Sequence, residues 1–109
     1  MSLIYLKSIP DFNALLKQEQ RAILIDFYAD FCGPCKQIAP FFEQLSNSEI
    51  SKYVCFVKVN VDEAGELAEQ LGVSAMPTFL AYKNGNRIAE LVGANKDKLT
   101  ALIKEIASL

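Results

Sequence analysis

The chain has 109 residues, enough for one domain that buries roughly two thirds of the surface its unfolded form would expose. With 51% hydrophobic and 22% charged residues it is ordered and globular, and no apolar run approaches the ~20 residues that a membrane-crossing helix needs. The net charge of −2 comes with scattered Lys and Arg, which offers no basic stripe to nucleic-acid phosphates, so neither nucleic acid nor membrane is expected as a partner.

Residues 1–7 lack a basic region followed by a long apolar stretch and a small-residue cleavage site, so no signal peptide is read there and a cytoplasmic location is expected. Residues 3–6 are a short apolar run that predicts an edge strand. Ser8 then stands as an N-cap, with Pro10 in the first turn and Asp11 reaching back in a capping box, and Phe12, Leu15 and Leu16 follow at helical spacing. Residues 22–29 are nearly all apolar and rich in β-branched and aromatic types, the composition of a central strand covered on both faces. Asp26 interrupts that run.

Ile38, Phe41, Phe42 and Leu45 keep an i, i+3, i+4, i+7 pattern, predicting a helix over about 34–47 with Pro40 kinking it. Residues 53–61 alternate as a second interior strand, with Val57, Val59 and Val61 on one face and Phe56, Lys58 and Asn60 on the other. Asp62 is a natural N-cap for a helix through Leu67, Ala68 and Leu71 that Gly72 ends. Residues 78–82 and 87–92 form a hairpin around Asn84-Gly85, Gly93 breaks the second strand, and Asn95 caps a last helix carrying Leu99, Leu102, Ile103 and Ile106. The order β-α-β-α-β-α-β-β-α predicts an α/β fold. Its mixed central sheet of about five strands is flanked on both faces by about four helices, in a single domain over residues 1–109 with no internal repeat.

The chemistry concentrates in Cys32 and Cys35, two cysteines three positions apart where a strand gives way to a helix. This spacing suits a redox dithiol, half a zinc site, a haem attachment or part of an iron–sulfur site. The chain has no histidine and one further cysteine, Cys55, and Lys36 stands where haem attachment needs His, so the βαβ context favours a redox pair over a metal module. Asp26 lies among Ile23, Leu24, Ile25 and Phe27, where burial would raise its carboxyl pKa, and Lys58 would oppose that shift if the two strands pair in register. Cys55 reads as a small buried hydrophobe, and Phe12, Phe27, Phe41, Phe42, Phe56 and Phe79 as core.

The segment Phe31-Cys32-Gly33-Pro34-Cys35-Lys36, preceded by Asp26-Phe27-Tyr28-Ala29, resembles the active-site segment of the thioredoxin family. Further matches are Lys58, Met76-Pro77-Thr78, Lys83-Asn84-Gly85 and Gly93-Ala94, spread in the right order over essentially the full chain. The resemblance implies the thioredoxin fold and a protein disulfide reductase. Cys32 would attack a substrate disulfide, Cys35 would resolve the mixed disulfide, and Asp26, modulated by Lys58, would accept the proton of Cys35. It also implies a cis bond before Pro77 and a docking surface made of Phe31, Gly33, Pro34, Ala75, Met76, Pro77, Gly93 and Ala94.

The redox-active disulfide Cys32–Cys35 would be the sole redox group, with no bound cofactor and no metal. The chain carries no nucleotide or flavin fingerprint, so a separate NADPH-dependent thioredoxin reductase would recharge it, and the partners would be disulfide-containing substrate proteins acted on by a monomer. The departure from the family is the lack of any tryptophan: Phe31 and Tyr28 occupy positions where Trp is frequent, which bears on partner selection and redox poise. A competing reading makes the chain a binding subunit whose surface outweighs its dithiol.

Overall fold

The computed structural model describes residues 3–109; Met1 and Ser2, the start of the amino-terminal segment considered above, lie outside the described residues. In chain order the elements are β1 (Ile4–Tyr5), α1 (Ile9–Gln18), β2 (Ala22–Tyr28), α2 (Gly33–Ser46), a 3₁₀ turn (Glu49–Lys52), β3 (Val54–Asn60), α3 (Gly65–Gln70), β4 (Thr78–Lys83), β5 (Asn86–Val92) and α4 (Lys96–Ala107). Every element expected from the sequence is present in the expected order, and the 3₁₀ turn is the addition.

The strands form one sheet in the order β1-β3-β2-β4-β5. β3 runs parallel to both β1 and β2, whereas β4 is antiparallel to β2 and to β5. The parallel pairs need helical crossovers, which α1 and α2 supply, and the last pair needs only a turn. That turn is Asn84-Gly85, with φ of 54° and 81°, the left-handed geometry a two-residue hairpin requires and glycine adopts at little cost.

Alternation along β2 sorts its side chains to two cores. Ile23, Ile25 and Phe27 join Phe12, Val57, Val59, Leu67 and Leu80 on the α1 and α3 side. Ala22 and Leu24 join Ile38, Phe42, Phe56, Phe79, Leu99 and Ile103 on the α2 and α4 side. Phe42 sits at the centre of the second core, its ring 5.2 Å from that of Phe56 and 5.8 Å from that of Phe79. Phe41, expected in the core, is only partly buried and carries the Lys96 ammonium over its ring at 5.6 Å.

Two helix starts differ from expectation. At α1, Ser8 Oγ accepts the Asp11 N–H at 3.2 Å, which is one half of the capping box; the reciprocal bond from Asp11 is not among the described residues' hydrogen bonds. At α3, Asp62 is not the cap. Its own N–H donates to Asn60 Oδ1 at 2.9 Å and the Asn60 carbonyl takes the N–H of Glu63 and Ala64, so a turn is completed first and the helix begins at Gly65. α4 starts as expected, with Asn95 Oδ1 accepting the Lys98 N–H at 2.9 Å.

Phe42→Ala should lower unfolding stability by about 3–5 kcal/mol, since it removes a fully buried ring from contact with two others. The urea midpoint of the oxidised protein measures it, and a loss below about 1 kcal/mol would mean that the α2 face repacks around the void.

Candidate active site

β2 ends at Tyr28, four residues later Cys32 occupies the N-cap of α2, and the helix begins at Gly33. Its backbone is extended, with φ −86° and ψ 110°, and its N–H donates to the Ala29 carbonyl at 3.2 Å, closing the connecting turn. The Lys36 N–H donates to the Cys32 carbonyl at 3.2 Å as the first helical bond, and Pro34 sits in the first turn, where it has no N–H to leave unpaired. Cys32 Sγ takes the role that a Ser or Asp oxygen usually has at a cap. It accepts the Cys35 N–H at 3.1 Å.

Cys32 and Cys35 are joined as a disulfide with their Cα atoms 5.2 Å apart. Their environments are unequal. Cys35, one turn into the helix, is 4% exposed, whereas Cys32 is half-buried and flanked by the exposed residues Phe31, Gly33 and Pro34. Opened by reduction, the Cys32 sulfur would face the positive end of a 14-residue helix and one N–H already aimed at it, and both favour the thiolate.

A second segment closes on this sulfur from the far side of the chain. The Met76–Pro77 bond is cis, and the Met76 carbonyl oxygen lies 3.6 Å from Cys32 Sγ. A disulfide sulfur has no proton, so this is a contact in the oxidised pair, at a distance from which the S–H of a Cys32 thiol can donate. Pro77 is buried, and the buried Thr78 hydroxyl donates to the Ala75 carbonyl, which ties down the loop from below. The Gly93 N–H donates to the Pro77 carbonyl at 2.9 Å, and the φ of 105° at Gly93 turns the chain away from β5 in a way that side chains disfavour. Ala94 packs partly buried against the core that contains Ile38. The cysteine pair, residues 75–77 and Gly93 are thus linked in one place, and Phe31 projects from it with 96% of its surface exposed.

Asp26 lies on the β2 face that α2 covers, in the same alternation as Ala22 and Leu24, and is 1% exposed. Its Oδ1 is buried with no hydrogen-bond partner among the described residues. Burial pushes the carboxyl up from an ordinary 3.8 to about 6, and the charge of Lys58, its register partner on β3, works in the opposite direction. Among the described residues the half-buried Lys58 makes no close ion pair; its ammonium rests 4.4 Å from the centroid of the Tyr28 ring. Beside these groups a shallow hollow of about 160 Å³, lined by Tyr28, Ala29, Asp30, Cys35, Lys36 and Ala39, opens to solvent. A separate depression of about 610 Å³, between α1 and the Asn84-Gly85 turn, is at the opposite end of β4 from Pro77 and is lined by no cysteine.

Cys55 is free, 1% exposed and inside β3, and burial pushes its thiol up to about 11, so it stays protonated and inert at neutral pH. Among the described residues no group of three or more His, Cys, Asp and Glu is arranged to hold a metal ion. Sequence reasoning missed the Thr78 hydroxyl. A Thr directly after the Pro, with a carbonyl three residues back, is the local pattern that would have pointed to it. It also missed that the cap of α2 is a sulfur.

The thioredoxin family model matches residues 4–105. The H-type thioredoxin of Chlamydomonas reinhardtii is 51% identical over 92 residues, which span 84% of this chain and 80% of that protein. Thioredoxin-1 of Schizosaccharomyces pombe is 49% identical over 94 residues, spanning 86% and 88%. The crystal structure of Malassezia sympodialis thioredoxin superposes with a TM-score of 0.91 at 40% identity, covering 97% of this chain and 91% of that one.

The raised pKa of Asp26 makes the folded protein bind this proton more tightly than the unfolded chain, so stability falls as pH rises from about 4 to about 6 and is flat above about 7. The loss is up to about 3 kcal/mol. Asp26→Asn should abolish it. Urea midpoints of the oxidised proteins at pH 4 and pH 8 test this: the difference between variant and parent should move in the variant's favour at pH 8, and an equal difference at both pH values would refute the raised pKa.

Proposed function

The chain belongs to the thioredoxin family and is a thiol-disulfide oxidoreductase with Cys32–Cys35 as its redox pair, and we propose that the two sulfurs divide the reaction unequally. The observation that carries this division is the half-buried Cys32 sulfur at the α2 amino terminus, accepting the N–H of a Cys35 that is itself buried. The Cys32 thiolate attacks one sulfur of a substrate disulfide. The substrate S–S bond breaks, its other sulfur leaves as a thiolate and takes a proton from solvent, and a Cys32–substrate disulfide forms. Cys35 then gives its proton to the Asp26 carboxylate and its thiolate attacks the Cys32 sulfur; the Cys32–substrate bond breaks, the second substrate sulfur leaves as a thiolate that takes a proton from solvent, and the Cys32–Cys35 disulfide is restored. Two electrons pass to the substrate.

A carboxyl with a pKa of about 6 can accept a proton near neutral pH and return it, and Lys58, by holding that value down, tunes how much carboxylate is available. The hydroxyl-anchored loop through Met76 and Pro77, with Phe31, Gly33, Pro34, Ala75, Gly93 and Ala94 around it, is the surface on which an extended substrate segment would lie. Substrates in this reading are disulfide-containing proteins, and an NADPH-dependent reductase returns the electrons, since the chain has no fingerprint for a nucleotide or flavin of its own. The protein would work as a single domain and a monomer in the cytoplasm, where thiols are kept reduced. No helix of the described residues is long and apolar enough to cross a membrane.

Trapping separates the two cysteines. Cys35→Ser, reduced and mixed with a disulfide-bonded protein such as insulin, should accumulate a covalent adduct through Cys32, and Cys32→Ser should accumulate none. Adducts from Cys32→Ser alone, read by non-reducing electrophoresis and mass spectrometry, would reverse the assignment.

A further inference from the structure

One polar group near the redox pair has no part in the reaction just described. Asn60, the last residue of β3, is 9% exposed, and its side-chain amide is used at both ends: Nδ2 donates to Asp30 Oδ1 at 3.1 Å, and Oδ1 accepts the Asp62 N–H at 2.9 Å. Asp30 lies in the connecting turn, two residues before Cys32. The turn otherwise has little to hold it, because Asp30 and Phe31 are exposed. Among the described residues its other hydrogen bonds are the Cys32 N–H to the Ala29 carbonyl within the turn and the Val61 N–H to the Tyr28 carbonyl at its start. Among the described residues, the Asn60–Asp30 bond is the one side-chain hydrogen bond from residues 29–31 to the body of the sheet.

We propose that Asn60 is a positioning residue for the redox pair, its amide fastening Asp30, and with it the turn that carries Cys32, to the end of β3. Asn60 is suited to this by its own fixation. It stands opposite Tyr28 in the β2–β3 register, its backbone carbonyl takes the N–H of Glu63 and Ala64, and its side chain cannot turn without freeing the Asp62 N–H. A fixed donor is therefore presented to a carboxylate on a turn held otherwise by two backbone hydrogen bonds, and a hydrogen bond to a charged group is stronger than one between neutral groups. The turn sets how Cys32 Sγ meets its two neighbours, the Cys35 N–H at 3.1 Å and the Met76 carbonyl at 3.6 Å, and so how well the sulfur is held as a nucleophile.

The inference rests on Cys32 being the attacking thiol, and the experiment keeps the two apart. The reduced protein is treated with iodoacetamide at pH 7, and the alkylation rate of Cys32 is followed by mass spectrometry alongside single-turnover reduction of insulin. Asn60→Asp removes the donor and sets a second carboxylate against Asp30. Both rates should fall, by roughly tenfold if the bond is fully used. The paired exchange Asn60→Asp with Asp30→Asn restores donor, acceptor and net charge, since the amide now at position 30 can donate to the carboxylate at position 60 while the Asp62 N–H keeps its acceptor. Rates should return to within about twofold of the parent, a recovery that follows from remaking one bond of this kind.

Asp30→Ala, at an exposed position that tolerates truncation, gives a test by sign. It deletes the tie and also a negative charge near the sulfur. Slower alkylation supports positioning, whereas faster alkylation means that charge alone acts and overturns the proposal. A change in urea midpoint with both rates unchanged in Asn60→Asp, or a loss that persists in the paired exchange, overturns it as well. If Cys32 is not the first thiol alkylated in the parent protein, the division of roles between the cysteines fails instead.

Discussion

β2 is hydrogen-bonded along both edges, in parallel to β3 and antiparallel to β4, and packed with helices on both faces. The register of this strand is the constraint on which the site depends. A slip of one residue would exchange its two faces, sending Asp26 into the core shared by Phe12 and Leu67 and bringing Phe27 beneath α2. With the register held, the groups that meet at the end of the sheet are fixed by pairing: Asp26 opposite Lys58 and Phe79, Tyr28 opposite Asn60, Phe27 opposite Thr78. The reactive turn leaves from the carboxyl end of β2, as sites on parallel sheets generally do.

The same side chain is made reactive at one position and silent at another by surroundings alone. Cys55 has its thiol inside a strand, where the charged form has no solvation and the proton is held more tightly. Cys32 has a backbone N–H aimed at its sulfur from the first turn of a long helix. Asp26 shows the cost of placing chemistry in a core. One of its oxygens has no partner among the described residues, and an apolar residue at that position would carry no such penalty. The fold tolerates it because β2 is otherwise fully apolar from Ala22 to Phe27.

Much of this was legible from residue order. Hydrophobic period separates the long strands from the helices, Asn84-Gly85 can make only one kind of turn, and the pairing of Asp26 with Lys58 follows once both strands are taken as parallel neighbours. Three features were not. The start of α3 was misplaced because Asp62 has the composition of a cap, yet Asn60 captures its N–H first, a competition between two neighbouring turn formers that periodicity does not register. Phe41 is left partly exposed with the Lys96 ammonium over its ring, a packing matter between distant segments. The bond from Asn60 to Asp30 joins residues 30 apart, and each alone looks like an ordinary surface polar group.

Phe31 stands almost fully in solvent, one residue from Cys32, in a chain without a single tryptophan. The protein therefore has no indole emission with which to report its redox state. It is also an empty background. An indole placed at position 31 would be the only emitter of its kind, adjacent to a sulfur whose bonding changes each turnover, and disulfides quench indole excited states on approach. Turnover could then be watched as light, in real time and without a coupled reagent.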